Sequence, residues 1–249
     1  MSTRGAADIL FCLDASASMQ PCFDAVRRHV GDFIAGLQSN QQVRWDWRID
    51  FVAHRAGEGR DGFVFNQRSL YNNELLDSLY SRDAQQGRFF TTDVDEFSRG
   101  LAEIRVSGDE APLVALDSCL DFPWRATAAC HRVVILMTDE AAETGVMLDK
   151  QRQAISPLID KIQRLRVLLF IVAPQSQIFD QLAQADKSEY EIVSETDDGL
   201  SQVDFQRLLA AIGKSVSVSS LQAAPPAGGA RGLFGQELWG ESNETIRGA

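Results

Sequence analysis

The chain alternates between two hydrophobic rhythms. Short unbroken apolar runs, of the kind carried by a strand covered on both faces, recur between stretches where apolar residues return every three or four positions. The first run lies at positions 8–13, Asp-Ile-Leu-Phe-Cys-Leu, and stops at Asp14. A helix is predicted next, with Phe23, Val26, Val30, Phe33, Ile34 and Leu37 on one face, Pro21 near its start and Asn40 near its end. Positions 45–54 read as a second strand centred on Ile49, Phe51 and Val52. Trp45 and Trp47 share one face of it and are expected in the core. Positions 57–62 form a turn, from which 63–65 can pair back as a hairpin arm.

The same rhythms continue downstream. Positions 70–80 look helical and 88–91 look like a short strand. Thr92 or Asp93 then caps a helix running to about Arg105, with Val94, Phe97, Leu101 and Ile104 on one face. A polar loop at 107–112 leads into a short helix at 113–120. The clearest strand, at 132–138, contains Val-Val-Ile-Leu-Met and ends at Asp139. A helix at 148–166 follows, which Pro157 should kink or interrupt. A strand at 167–172, a helix near 177–185, a strand at 190–193 and a helix at 202–214 complete the series. Strands alternating with helices predict an α/β fold: a doubly wound, mostly parallel sheet with helices on both faces.

The composition changes after about Val218, where Pro225, Pro226 and several glycines accumulate. The expected organisation is therefore one domain at 1–217 and a flexible Gly/Pro-rich tail at 218–249. Leu233, Phe234, Leu238 and Trp239 form an apolar cluster in that tail. Such a cluster wants a surface, either on its own domain or as a docking peptide on another protein.

Charge and cysteine content narrow the function classes. Of 249 residues, 24 are Lys or Arg and 35 are Asp or Glu, a net charge of −11 that argues against general nucleic-acid binding. No apolar run is long enough to span a membrane, and positions 1–8 lack the apolar core of a signal peptide. Cys12, Cys22, Cys119 and Cys130 match no CxxC pair and no zinc spacing, so free thiols in a reducing cytoplasm are expected. His29, His54 and His131 show neither metal nor triad spacing and read as structural. There is no Gly-x-Ser-x-Gly elbow around Ser16 and no Gly-x-x-x-x-Gly-Lys loop.

What chemistry remains gathers at the strand ends, where doubly wound sheets bind ligands. Asp14 follows the first strand and Asp139 follows the strand at 132–138. Ser16 and Ser18 follow Asp14, and alternate residues of an extended loop point the same way, so a carboxylate and two hydroxyls can converge. Oxygen donors with few charges suit a hard cation that keeps some waters, above all Mg²⁺. The competing reading is that these small polar residues only cap the helix that begins at Pro21.

Asp14-Ala15-Ser16-Ala17-Ser18, after an apolar strand and before a helix, resembles the metal-ion-dependent adhesion site of von Willebrand factor type A domains, and Thr138-Asp139 resembles that family's third loop. The succession of elements fits from Asp8 to about Lys214. The second loop departs from the family pattern: Glu110 stands where a Thr is usual, with Asp109 as the near alternative. A carboxylate there either adds a ligand directly on the cation or holds a cation-bound water. The resemblance implies a metal site of Asp14, Ser16, Ser18, Glu110 and Asp139 holding Mg²⁺, with Mn²⁺ or Ca²⁺ as alternatives. It implies a binding module rather than an enzyme, in which a partner protein's acidic side chain completes the coordination. It also implies a bacterial cytoplasmic type of domain, an adaptor beside a MoxR-like AAA+ ATPase. The alternative is a metal-dependent phosphohydrolase or phosphotransferase using the same carboxylates. Against it, Ser16 stands where such enzymes carry a second Asp, and no phosphate-reading Lys motif is present.

Overall fold

The computed structural model describes residues 3–39, 43–56, 63–67, 89–126, 130–143, 148–194 and 200–219. Six strands form one sheet: β1 (Thr3–Asp14), β2 (Val43–Ala56), β3 (Phe63–Gln67), β4 (His131–Met137), β5 (Val167–Pro174) and β6 (Ser188–Val193). Their spatial order is β3-β2-β1-β4-β5-β6. Five strands are parallel, and β3 pairs antiparallel to β2 as the predicted hairpin arm. Six helices are seen among the described residues: α1 (Gln20–Gln38), α2 (Val94–Ala102), α3 (Pro112–Leu120), α4 (Leu148–Leu165), α5 (Gln177–Leu182) and α6 (Phe205–Ser219). The α/β, doubly wound arrangement is thus as the hydrophobic rhythm predicts.

The pleat explains why the β1 run is almost wholly apolar. Ile9, Phe11 and Leu13 face one layer with Phe23, Phe33, Phe97 and Leu209, from α1, α2 and α6. Leu10 and Cys12 face the other with Leu116, Leu158 and Phe179, from α3, α4 and α5. A central strand covered on both faces has no position left for water. Trp45 is buried and Trp47 packs partly buried against the same layer, as their shared face predicts.

Several local expectations need correction. Pro157 neither ends nor interrupts α4, which runs unbroken from Leu148 to Leu165. The proline faces solvent, where the carbonyl it leaves unbonded meets water, while Ile155, Leu158 and Ile162 hold the helix on the sheet. Positions 89–91 form no strand: Thr91 makes a single antiparallel bridge to Ile49. The buried Asp50 carboxylate accepts the Phe90 amide (2.8 Å) beside that bridge, which fixes the segment. Asp93 caps α2, accepting from the amides of Asp95 and Glu96. The helix predicted at 70–80 and the tail cluster at 233–239 lie outside the described residues.

One polar group is buried by design of its neighbours. Asp8, on the α3 face of β1, is fully buried and accepts two bonds from Arg48 (2.6 and 2.8 Å). It also accepts the Arg125 Nε (2.7 Å) and the Arg125 backbone amide (2.7 Å). Burial would push the Asp8 carboxyl up, but these partners outweigh it and hold it below its ordinary value. The network pins the segment after α3 to the end of the sheet opposite the loops that follow β1 and β4.

Candidate functional site

The sheet itself selects the place. From β1 the chain goes to β2 on one side, and later returns to β4 on the other side of β1. Strand order therefore reverses between β1 and β4, and in open α/β sheets ligands bind in the crevice beyond the carboxyl ends of strands at such a point. Asp14 is the last residue of β1. Leu13 pairs with Met137, so Thr138 and Asp139 leave β4 beside Asp14. Both aspartates are buried, at 0% and 1% exposure.

The first loop turns earlier than expected. It is not extended through Ser18: Ala17–Met19 form a 3-10 turn that leads directly into α1. Ser16 precedes this turn, and its hydroxyl lies 3.4 Å from that of Ser18. The capping alternative fares poorly, because neither Ser16 before the 3-10 turn nor Met19 before α1 makes a side-chain capping bond. The Ser16 amide instead donates to Asp14 Oδ1 (2.8 Å). Thr138 Oγ1 donates to Asp14 Oδ2 (2.9 Å). Each Asp14 oxygen thus carries one donor, which orients the carboxylate.

Electrostatics make the pair of aspartates unusual. Burial pushes the Asp14 carboxyl up, and the Asp139 charge adds to this; His54, the Ser16 amide and the Thr138 hydroxyl pull it down without prevailing. His54 pairs with Asp14 in the β1–β2 register and is fully buried. Burial alone would lower its pKa, yet the contact with Cys12 and the Asp14 charge raise it. An ionised Asp14 is therefore costly in this site as it stands, and a bound cation would relieve that cost.

Glu110 sits in the loop between α2 and α3, nearly buried at 4% exposure. Its pKa is pushed up to about 8, first by burial, then by a hydrogen bond with Glu140 and by the charges of Asp14 and Glu140. The structure therefore brings Glu110 against Glu140, within electrostatic range of Asp14. Asp109 is exposed. Among the described residues no group of three or more His, Cys, Asp or Glu side chains gathers as a metal cage. The donor set at the crevice is instead mixed, two carboxylates with two hydroxyls, which fits a hard divalent cation that keeps part of its water.

The roles of three residues escape the sequence reading. Thr138 is named there only as part of the third-loop match, and its bond to Asp14 is not foreseen. Glu140 partners Glu110 from the third loop, and nothing in the spacing points to it. Glu143, further along that loop, accepts the Ile178 amide (3.0 Å) and so ties the loop to the start of α5. Burial opposes ionisation of Glu143, but the Ser176 hydroxyl and backbone amides hold its pKa below the ordinary value.

No family model matches this sequence, and no curated protein matches it closely enough to count as a relative. Solved structures do resemble it. A von Willebrand factor type A protein from Catenulispora acidiphila is 13% identical, with a TM-score of 0.53 over 86% of this chain and 43% of that chain. The pilus adhesin SpaC from Lactobacillus rhamnosus GG, in its open conformation, is 11% identical with a TM-score of 0.47 over 85% of this chain and 30% of that one. The chain thus spans less than half the length of either. At this identity the first likeness shows the fold alone: the sheet and its helices are arranged as in that von Willebrand factor type A protein.

Proposed function

We propose that the chain is a protein-interaction module whose binding face is the crevice beyond β1 and β4. Asp14, Ser16, Ser18 and Asp139 would hold a divalent cation there, Mg²⁺ by the chemistry of the donors and Mn²⁺ or Ca²⁺ as substitutes. Glu110, beside Glu140, would hold a cation-bound water or enter the coordination itself. When bound, the cation supplies an open position that attracts an acidic side chain of the partner. The reading is one of binding, with no bond made or broken. The single observation that carries it is the buried, doubly oriented Asp14 carboxylate at the topological switch point, beside hydroxyls that cap no helix.

Finer features rest on the resemblance. An adaptor role beside a MoxR-like AAA+ ATPase is one such proposal. A cytoplasmic setting is a second such proposal, with which four buried free thiols accord.

The deciding experiment is calorimetric titration of Mg²⁺ and Mn²⁺ into the full chain and into Asp14→Ala, with melting curves for both. Binding by the wild type, lost in a variant that still melts cooperatively, is the expected result. Equal binding by both proteins, or none by the wild type, overturns the proposal.

A further inference from the structure

The loop that carries Glu110 is anchored at its base, and the anchor comes from β2. Arg55, the penultimate residue of β2, directs its Nη1 to the Arg105 carbonyl (2.8 Å) and to the Ser107 hydroxyl. The Ser107 amide in turn donates to the Ala15 carbonyl (2.8 Å). Ala15 lies between Asp14 and Ser16, and its own amide donates to the carbonyl of His54 (2.7 Å), the residue before Arg55. The four contacts close a ring. The end of β2 holds the Asp14 loop directly through His54, and again through Arg55 and Ser107. Gly108 follows at a φ of 77°, a left-handed turn that sends the chain from the clamp toward Glu110.

We infer that Arg55 is a positioning residue: it fixes the Glu110 loop against the Asp14–Ser18 loop and so sets the geometry of a cation site that it does not touch. The effect on cation affinity rests on the function proposed above, whereas the coupling between the two loops does not. Both acceptors are reached by one guanidinium nitrogen, Nη1, which carries two N–H donors. A lysine keeps the charge and has donors enough, but on a flexible stem that does not fix them in a plane. A residue that only stabilised the loop would lower the melting temperature and leave the Asp14 loop unchanged. A positioning residue changes the Asp14 loop far below the melting temperature.

The test compares the full-length wild type with Arg55→Met, Arg55→Lys, Ser107→Ala and the Arg55→Met/Ser107→Ala double variant. Amide hydrogen exchange at Ser16 and Ser107 is read without cation, and Mn²⁺ affinity by calorimetry. Arg55→Met is expected to speed exchange at both amides about tenfold, and to weaken Mn²⁺ binding about tenfold, the scale of removing an outer positioning partner. The double variant should be no worse than Arg55→Met alone, because both substitutions break one relay. Arg55→Lys should recover part of both losses. Unchanged exchange at Ser16 in Arg55→Met overturns the inference, whatever the cation does. Faster exchange with unchanged Mn²⁺ affinity overturns the positioning role. If the wild type binds no Mn²⁺, the cation-site reading fails, and exchange at Ser16 alone decides whether Arg55 couples the loops.

Discussion

At the residue scale, partner geometry decides what each titratable group contributes. His131 begins β4, where its ring packs against Trp45 at 5.6 Å between centroids. Burial, with Lys187 and Arg166 nearby, lowers its pKa to about 4. The unfolded chain holds this proton more tightly than the folded one. His131 therefore contributes stability that is complete above about pH 6.5 and is lost as pH falls toward 4. Melting temperatures of the wild type should drop across that window, by a loss on the order of 3 kcal/mol from this group. A His131→Phe variant should show a shallower fall between pH 6.5 and 4. Equal slopes for the two proteins would assign the acid sensitivity elsewhere. None of this was legible in the sequence beyond a structural histidine, since Lys187 and Arg166 are brought to His131 only by strand pairing.

At the element scale, α1 and α6 pack backbone to backbone. A Cβ at Gly213 would lie 2.2 Å from the Phe33 carbonyl oxygen, and one at Gly36 would lie 2.3 Å from that of Ala210. The obstacles are backbone atoms and cannot swing aside, so the two helices would have to separate. Gly213→Ala is expected to destabilise by about 3 kcal/mol through overpacking, read by urea unfolding. Gly31 is the control in the same helix pair. Nothing lies within 4 Å of a Cβ there, so Gly31→Ala should stabilise by about 0.5–1 kcal/mol through lost chain entropy in the unfolded state. If both alanines have the same sign, the close crossing does not govern these positions. The sequence predicts both helices from their apolar spacing, but it does not predict that two glycines on different helices face each other's backbone.

At the scale of the whole molecule, the sheet brings three buried acids to the end where β1 and β4 finish. Asp14, Glu110 and Asp139 arrive from three different loops that are far apart in the sequence, and strand order brings those loops to one end of the sheet. A cation that binds the folded chain alone stabilises it by mass action, by about 2.7 kcal/mol at a hundredfold excess over the dissociation constant. Saturating Mg²⁺ should therefore raise the melting temperature of the wild type by several degrees, and chelator should reverse the gain. The same additions should leave Asp14→Ala unmoved. A rise of equal size in that variant would place the stabilising cation elsewhere on an acidic surface.

The sequence by itself determined the rhythm of elements and hence the class of fold, because burial on both faces of a parallel sheet leaves its mark at every central strand position. It also singled out Asp14, Ser16, Ser18 and Asp139, because the ends of such strands are where the polar residues must resume. Of its two expectations for Pro157, a kink or an interruption, the interruption does not occur, since the helix runs on from Leu148 to Leu165. Tertiary structure alone decided the partners of those residues: Thr138 and Ser16 on Asp14, Glu140 on Glu110, and Arg55 on the loop that leads to Glu110. Except for the Ser16 amide, which is two residues from Asp14, such contacts join positions far apart along the chain, and the physical reason they escape the sequence is that strand order, with the packing it imposes, sets them, whereas local spacing sets only the elements.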